Sequence, residues 1–278
     1  MSESPLDSQH PDYETLAPLV ELILEQAGGF DAFAAEMPKL FRQAFDEVID
    51  APRTGRFLLS EIEKTEKTYV GTKVEILVRN HLGIPKGRIL DLSIGGVEVD
   101  IKMTTARSWM IPAESIGHPA MLLRASETRS RCDIGFVVCH PEYMGKSRNR
   151  DGKARISAAN YGNIWWILDR HPYPENFWQV MPPDDRLEIM TARGGSARLA
   201  ALFEKIQRRP ISRTQVEAVA QQKDYMKRLR RNGGARDILS GKGIEVLWGG
   251  KDRERIEELG LGPVLPDEFV SYRYIDLD

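Results

Sequence analysis

The segment from Arg88 to Lys102 constrains the fold more than any other part of the 278-residue chain. Apolar and polar residues alternate on both sides of Gly95 and Gly96, which predicts two antiparallel strands joined by a two-residue turn. Pairing the strands across that turn places Asp91 opposite Asp100. Since side chains alternate between the two faces of a strand, one face of the hairpin is apolar and the other polar. The polar face carries Asp91, Ser93, Glu98, Asp100 and Lys102.

The two facing aspartates predict a metal site. Carboxylates directly opposite each other repel unless a positive charge lies between them. A divalent cation would supply that charge, and Mg²⁺ suits oxygen ligands. Such a cation acts as a Lewis acid and lowers the pKa of bound water, while a lysine beside it can orient the attacking water. Asp91, Asp100 and Lys102 therefore predict a hydrolytic site of the PD-(D/E)xK nuclease pattern, with Asp91 standing without the proline.

Two further acids lie near this site in the sequence. Glu75 lies on the helix before the hairpin, at the edge of its apolar stripe. From periodicity alone it either reaches the metal from the flank or faces solvent. Glu98 shares the polar face of the hairpin but lies nearer the turn, and we expect it to be solvated.

The charge of the chain is distributed unevenly. The net charge is −2, yet residues 1–50 hold eleven acidic against two basic residues, a balance of −9. Residues 201–240 hold ten basic against four acidic residues, a balance of +6. A basic segment in a mildly acidic protein fits either a phosphate-backbone partner or a solvated helix face.

The sequence favours a cytoplasmic protein. The apolar runs are far shorter than the roughly 20 residues that span a bilayer, so no membrane segment is expected. The first ten residues lack a basic stretch followed by an apolar one, so no secretion signal is expected. Cys132 and Cys139 have no metal-ligand companions in sequence and are expected to stay reduced.

The pattern of elements predicts two domains. Helices are expected over 13–27 and 30–48 and again around Val70–Val78, with strands at 121–123, 134–139 and 161–168. A polar stretch with two prolines, 169–176, is the predicted linker between a domain at 1–168 and one at 177–278. The second domain should contain helices over 196–208 and 214–230 and strands over 244–248 and 269–274. That arrangement predicts a winged-helix-like DNA-binding module.

Short motifs in both predicted domains resemble one family. Before the linker they lie at 53–56, 64–68, 71–76, 96–102, 109–110 and 112–118, and after it at 219–222, 226–228 and 233–236. In these motifs and in their order, the chain resembles the NaeI-type type II restriction endonucleases from about residue 40 onward. The collinearity across two domains is more specific than any single motif.

The resemblance implies a fold and an activity. The expected fold is α/β, with a restriction-endonuclease-like PD-(D/E)xK mixed sheet core flanked by helices and a C-terminal winged-helix-like (CAP-like) domain. The expected activity is Mg²⁺-dependent cleavage of both strands of a palindromic duplex by a homodimer, and some family members bind a second DNA copy as effector. The family's catalytic residues fall on Glu75, Asp91, Asp100 and Lys102. Asp91, Asp100 and the Ile101 carbonyl would hold the metal, and Glu75 would complete the shell directly or through water.

Several cations are expected to contact DNA, and other functions remain open. The expected contacts are Arg53, Arg56, Lys64, Lys67, Arg107, Lys227, Arg228 and Arg236. Trp109 either enters a DNA groove beside Arg107 or is buried. The same site would also serve a DNA repair nicking endonuclease. A non-enzymatic DNA-binding regulator with a vestigial nuclease site is the third alternative.

Overall fold

The computed structural model describes residues 8–222 and 224–274, which form two compact units. The first unit comprises residues 8–48 and Ile62–Asn176, and the second comprises Ile49–Glu61 and residues 177–274. The α-helices are α1 Tyr13–Gln26, α2 Phe30–Ile49, α3 Ala51–Thr54, α4 Lys64–His81, α5 Pro183–Thr191, α6 Gly195–Lys205, α7 Arg213–Ala220, α8 Tyr225–Leu229, α9 Ala235–Ser240 and α10 Arg253–Glu258. The strands are β1 Leu92–Ile94, β2 Val97–Thr104, β3 Met110–Ile111, β4 Pro119–Ser126, β5 Arg131–Val138, β6 Met144–Arg148, β7 Ala154–Ile156, β8 Trp165–Pro172, β9 Ile211–Ser212, β10 Ile244–Trp248 and β11 Glu268–Arg273. None of the helices in these ranges has the length and apolar character needed to cross a membrane.

The first unit is built on a mixed sheet with the strand order β1-β2-β4-β5-β8. Strands β2 and β4 are parallel, and the other neighbours are antiparallel. Strands β4 and β5 are almost entirely buried, as expected for short runs rich in branched apolar residues at the centre of a sheet. Helix α4 packs against β2, and α1 contacts β5 and β1. The predicted α/β fold, a mixed sheet flanked by helices, is confirmed.

The hairpin of β1 and β2 has the predicted register. Leu92 pairs with Val99, and Ile94 pairs with Val97. Gly95 and Gly96 have φ angles of 57° and 84°, the left-handed conformation that a tight hairpin turn requires and glycine adopts without strain. The alternation seen in the sequence therefore sets which side chains face the core.

The last strand of the sheet lies later in the chain than predicted. Residues 158–163 form a 3₁₀ helix, and β8 runs from Trp165 to Pro172. Asn160 stabilises the 3₁₀ turn because its side-chain amide donates to Ser157 Oγ. The first four residues of the predicted 169–176 linker therefore belong to β8. The Arg170 N–H donates to Asp133 Oδ1 at 2.7 Å, which fixes this segment against β5.

A second, small sheet of the first unit was not predicted. Its strand order is β3-β7-β6, and all its pairings are antiparallel. Trp109, Ile111 and Ile156 pack it onto buried residues of β4 and β5. Trp109 is 1% exposed and its Nε1 donates to the Leu123 carbonyl at 2.7 Å, so the buried alternative for this side chain is the observed one.

The second unit contains the sheet β10-β11-β9, in which both pairings are antiparallel. Strand β10 has the predicted bounds, and β11 lies one residue earlier than predicted. The single helix predicted over 214–230 is wrong, because α7 ends at Ala220 and α8 begins at Tyr225. Gln221 adopts a left-handed conformation that ends α7, and the Asp224 carboxylate accepts the Lys227 N–H at the start of α8.

Candidate functional site

Three oxygen atoms converge on the ammonium group of Lys102. Its Nζ donates to Asp100 Oδ1 at 2.5 Å, to the Ile101 carbonyl at 3.0 Å and to Asp91 Oδ2 at 3.1 Å. Asp100 and Lys102 lie on one face of β2, and Asp91 precedes β1 across the hairpin. The structure therefore brings together Asp91, Asp100 and Lys102, as the facing register predicts.

The two aspartates of this cluster lie in different environments. Asp100 is 2% exposed, and burial together with the hydrogen bond to Asp91 raises its pKa to about 6. Asp91 is more open. Its burial acts to raise the pKa, but the hydrogen bond to Asp100 and the charge of Lys102 outweigh that effect and lower the pKa of this carboxyl. Two facing carboxyls with opposite pKa shifts are common at catalytic sites.

Ser115 holds the outer oxygen of Asp100. Its side chain is fully buried, and its hydroxyl donates to Asp100 Oδ2, while the Ile101 N–H donates to Asp100 Oδ1. Ser115 lies in a 3₁₀ turn of residues 113–115 that follows β3. The sequence interpretation did not assign Ser115 a role, although the motif at 112–118 contains it.

Glu75 lies on α4 within electrostatic range of the hairpin cluster. The pKa of Glu75 is raised to about 7, chiefly by burial and also by the charges of Asp91 and Asp100, while Lys102 and Lys153 act in the opposite direction. Within residues 8–222 and 224–274, no group of three or more histidine, cysteine or acidic side chains is close enough to hold a metal ion. Glu75 is therefore near Asp91 and Asp100 without forming a three-acid ligand group with them.

The donor atoms of the cluster fit a hard divalent cation. Two carboxylate oxygens and one backbone carbonyl oxygen meet at a single point, which the positively charged Nζ of Lys102 occupies. Mg²⁺ is bound in proteins by a few such oxygens and keeps several of its waters. Asp91, Asp100 and Ile101 are the residues that could hold it.

Glu98 has a structural contact that the sequence did not indicate. Its carboxylate accepts the N–H groups of Arg88, Ile89 and Leu90 at 2.8, 3.1 and 2.8 Å. These backbone hydrogen bonds lower the pKa of the Glu98 carboxyl. Glu98 therefore fixes the loop that leads to Asp91, and the expectation that it is simply solvated is incomplete.

The cations expected to contact DNA are divided between the two units. In the first unit, Lys64 and Lys67 are exposed at the start of α4, and Arg107 is exposed in the loop after β2. The others lie in the second unit and are Arg53, Arg56, Lys227, Arg228 and Arg236. Arg53 is paired with Asp50 at 2.7 Å, and Arg228 Nε donates to Gln222 at 2.5 Å.

The second unit contains a basic cavity of about 640 Å³. Its lining includes Arg230, Arg231, Arg236, Lys251 and Arg255, against the two acids Glu245 and Asp252. Arg236 Nε is buried and has no hydrogen-bond partner among the described residues, and burial lowers the pKa of this guanidinium. The cavity is therefore suited to a negatively charged ligand.

The fold and the hairpin cluster together indicate a class of protein. A mixed sheet flanked by helices, with two aspartates and a lysine on one hairpin, is consistent with the restriction endonuclease fold. The profile of the family described as "Restriction endonuclease NaeI" matches residues 28–277. A relative from Lentzea aerocolonigenes, named Type II restriction enzyme NaeI, is 33% identical over 287 residues, which cover 100% of this chain and 89% of the relative. The chain belongs to the NaeI restriction endonuclease family.

Proposed function

We propose that the protein is a type II site-specific restriction endonuclease. It would hydrolyse both strands of a palindromic DNA duplex with Mg²⁺ as cofactor. The observation that carries this function is the convergence of Asp91 Oδ2, Asp100 Oδ1 and the Ile101 carbonyl on one cationic nitrogen. Membership in the NaeI family and a relative named as a type II restriction enzyme support it.

Each residue of the cluster has a role in hydrolysis. Asp91, Asp100 and the Ile101 carbonyl would hold Mg²⁺, with Glu75 joining through water. When bound, the metal would supply Lewis-acid stabilisation of the phosphate and a lowered pKa for a coordinated water. Lys102 would orient the attacking water and stabilise the negative charge that develops on the phosphate oxygens. Ser115 keeps Asp100 in position through the hydrogen bond to its outer oxygen.

Hydrolysis of each strand consumes one water molecule. The water oxygen forms a bond to phosphorus as one ester P–O bond breaks. The water gives up one proton and the leaving sugar oxygen takes one up, so the protons balance. Glu75, whose pKa is raised to about 7, is a protonatable group near the cluster at neutral pH. Glu75 and Lys102 would therefore supply a group that exchanges a proton and a positive charge, both of which phosphodiester hydrolysis needs.

A winged-helix-like architecture for the second unit is part of this proposal. From α6 onward the second unit has the order α6, β9, α7, α8, α9, β10, α10 and β11, that is helix, strand, three helices, strand, helix and strand. In its sheet β11 lies between β10 and β9. This order supports a helix-turn-helix type of DNA-binding module. The basic cavity beside α8 and α9 supports binding of a second DNA copy as effector.

The proposal includes a homodimer, because a homodimer has the same twofold symmetry as a palindromic DNA site. Cutting both strands at symmetric positions requires two active centres related by a twofold axis, and closed C₂ dimers are the commonest protein oligomers. Light scattering on the purified protein, alone and with duplex DNA, measures the mass. A monomer in both conditions would contradict this part of the proposal.

Cleavage of plasmid DNA tests the proposed activity. Purified protein with Mg²⁺ should give discrete fragments, and Asp100→Ala should abolish cleavage while duplex binding persists. Glu114→Gln, which changes an exposed acid beside Ser115, is the matched control and should cleave normally. Uniform smearing, or an Asp100→Ala enzyme that still cuts, would rule out a site-specific nuclease acting through the hairpin cluster.

The alternative functions give different products in the same assay. A repair nicking endonuclease would accumulate open-circle plasmid without linear product. A regulator with a vestigial site would bind DNA sequence-specifically without hydrolysis, whether or not Mg²⁺ is present. The paired Asp91, Asp100 and Lys102 favour catalysis over a vestigial site, because an unused site has no need for facing acids that repel each other.

A further inference from the structure

The hairpin formed by β6 and β7 carries an unusual concentration of positive charge. Residues 144–156 contain five basic residues and one acid, a net charge of +4 in a protein whose net charge is −2. The basic residues are Lys146, Arg148, Arg150, Lys153 and Arg155. Four of them are exposed, and Lys153 is half-buried. None of the cations predicted from the sequence to contact DNA belongs to this group.

These cations are not neutralised by the protein. Within the described ranges, none of the five forms an ion pair, whereas cations such as Arg124, Lys205 and Lys242 do. Arg148 donates to the Gly152 carbonyl and Arg155 to the Met110 sulfur, and neither acceptor is charged. Like charges on one short hairpin repel each other, so a polyanion that neutralises them binds favourably.

The tip of the hairpin is a defined structure rather than a loose loop. Asn149 Oδ1 accepts the N–H groups of Asp151 and Lys153 at 3.0 and 2.8 Å. Gly152 closes the turn with a φ angle of 74°, which favours glycine. The fixed tip holds the backbone that carries the cations, so little backbone conformational entropy is lost when they bind a phosphate chain.

The hairpin is attached at the end of the strand that carries the candidate site. Thr104, the last residue of β2, donates to the Ser108 carbonyl, and Ser108 Oγ donates to the Ile156 carbonyl at the end of β7. Strand β7 also pairs with β3, which leads directly into the turn of Ser115. Lys153, before β7, is close enough for its charge to act on Glu75. The positive surface therefore borders the acidic cluster.

We propose that the β6–β7 hairpin is an arm that binds the phosphate backbone of the DNA duplex beside the catalytic cluster. The inference rests on the proposed nuclease function for its substrate and adds the element that holds this substrate at the site. Lys153 contacts a phosphate next to the acids, and Lys146 and Arg150 contact phosphates further along the duplex. Contacts of this kind fix the register of the DNA without reading its sequence.

The arm is tested by removing three of its charges at once. The variant carries Lys146→Gln, Arg150→Gln and Lys153→Gln, side chains that form no hydrogen bond with the described residues. Binding of a labelled mixed-sequence duplex is measured in EDTA over a series of salt concentrations. Each lost phosphate contact should reduce the slope of log K against log salt by about 0.9, so the slope should fall by roughly 2 to 3. The affinity at low salt should fall at least about tenfold.

A second triple variant controls for the change in total charge. Arg129→Gln, Arg131→Gln and Arg170→Gln remove the same three charges near the turn between β4 and β5, away from Asp100. Arg131 pairs with Ser126 and Asp100 pairs with Ala120, six residues apart along β4, or about 20 Å. The control should keep the salt slope of the unaltered protein. Thermal unfolding of both variants checks that each remains folded.

The outcomes separate the arm from the nuclease function. An unchanged slope in the hairpin variant, or an equal loss in the control, overturns the arm even if the unaltered protein cleaves DNA. A reduced slope confined to the hairpin variant supports the arm even if no DNA is cleaved, and the nuclease proposal then fails alone. A folded protein that binds no duplex overturns both.

Discussion

The first unit contains two clusters in which one cation lies between two carboxylates. The hairpin cluster contains Asp91, Asp100 and Lys102. The α2 cluster contains Arg42, Asp46 and Glu127, with ion-pair distances of 2.7 and 2.9 Å. The two have the same charges but differ in access to solvent. In the hairpin cluster the Asp91 side chain is 39% exposed, whereas in the α2 cluster the Arg42 and Glu127 side chains are 12% and 7% exposed.

The difference explains why the hairpin cluster, and not the α2 cluster, suits the proposed function. Arg42 is enclosed by the rings of Phe45 and Tyr173 at 5.5 and 5.8 Å, and its planar guanidinium donates to both oxygens of Glu127. A closed pair of this kind stabilises the arrangement of the fold. Lys102 instead donates to three oxygens, one of them a backbone carbonyl. Solvent reaches this group because the Asp91 side chain is partly exposed. An open cluster can accept a metal, water and phosphate.

The largest effect is expected from breaking the closed cluster. Arg42→Met leaves Asp46 and the buried Glu127 without a counter-charge, which should destabilise the fold by about 3–5 kcal/mol. Urea unfolding measures this change. Lys39→Met removes an exposed lysine of the same helix and should cost no more than about 1 kcal/mol. Equal effects of the two substitutions would mean that the α2 cluster is not closed.

Removing the cation of the open cluster should affect catalysis. Lys102→Gln should reduce the single-turnover rate of DNA cleavage by about 10²–10³-fold, or roughly 2.7–4 kcal/mol, because a donor to the developing charge is lost. Lys73→Gln serves as the control, since Lys73 pairs with Glu47 on a neighbouring helix. A Lys102→Gln enzyme with full activity would contradict the catalytic role of the hairpin cluster.

A smaller effect should follow from loosening Asp100. Ser115→Ala removes the buried hydroxyl that donates to Asp100 Oδ2, and a hydrogen bond to a charged group contributes about 1.5–3 kcal/mol. We expect the cleavage rate of bound DNA to fall roughly tenfold to a hundredfold, with little change in the affinity for DNA. Ser93→Ala, on the polar face of the same hairpin, is the matched control. A change in affinity alone would show that Ser115 does not act through Asp100.

The smallest effect concerns two buried thiols, that of Cys132 in β5 and that of Cys139 directly after it. Burial raises the pKa of Cys132 and of Cys139 from 9.0 to about 12. The unfolded chain therefore releases these protons first, so their contribution to stability is complete below pH 9 and is lost as the pH rises towards 12. Each thiol should lower the unfolding free energy by about 1.4 kcal/mol per pH unit in that range.

Substitution of the thiols isolates this effect from other groups that titrate in alkali. Cys132→Ala and Cys139→Ala should each flatten the decline of stability above pH 9, measured by urea unfolding at several pH values. Comparing slopes with pH avoids the constant cost of the cavity that each substitution leaves. If the unfolding free energy declined with pH as steeply as in the unaltered protein, the pKa values of the thiols would not be raised by burial.

Many secondary-structure elements of the first unit could be predicted from the local pattern of apolar and polar residues. The alternation around Gly95 and Gly96 predicts the register of β1 and β2, because side-chain direction in a strand repeats every two residues. The helical spacing predicts the ends of α1 and α2 to within one residue, and it predicts the middle of α4. The second unit was predicted less well, since Gln221 and Asp224 end and restart a helix whose apolar spacing continues.

The sequence by itself determined the hairpin, its facing aspartates and the lysine beside them. It did so because these residues are joined by a short turn whose geometry is local. Only the tertiary structure decided that Ser115 and Glu75 belong beside the hairpin, that Lys153 borders it, and that Arg42 is enclosed elsewhere. Those positions depend on contacts between segments far apart in the chain, and burial set by packing distinguishes an open acid–cation cluster from a closed one.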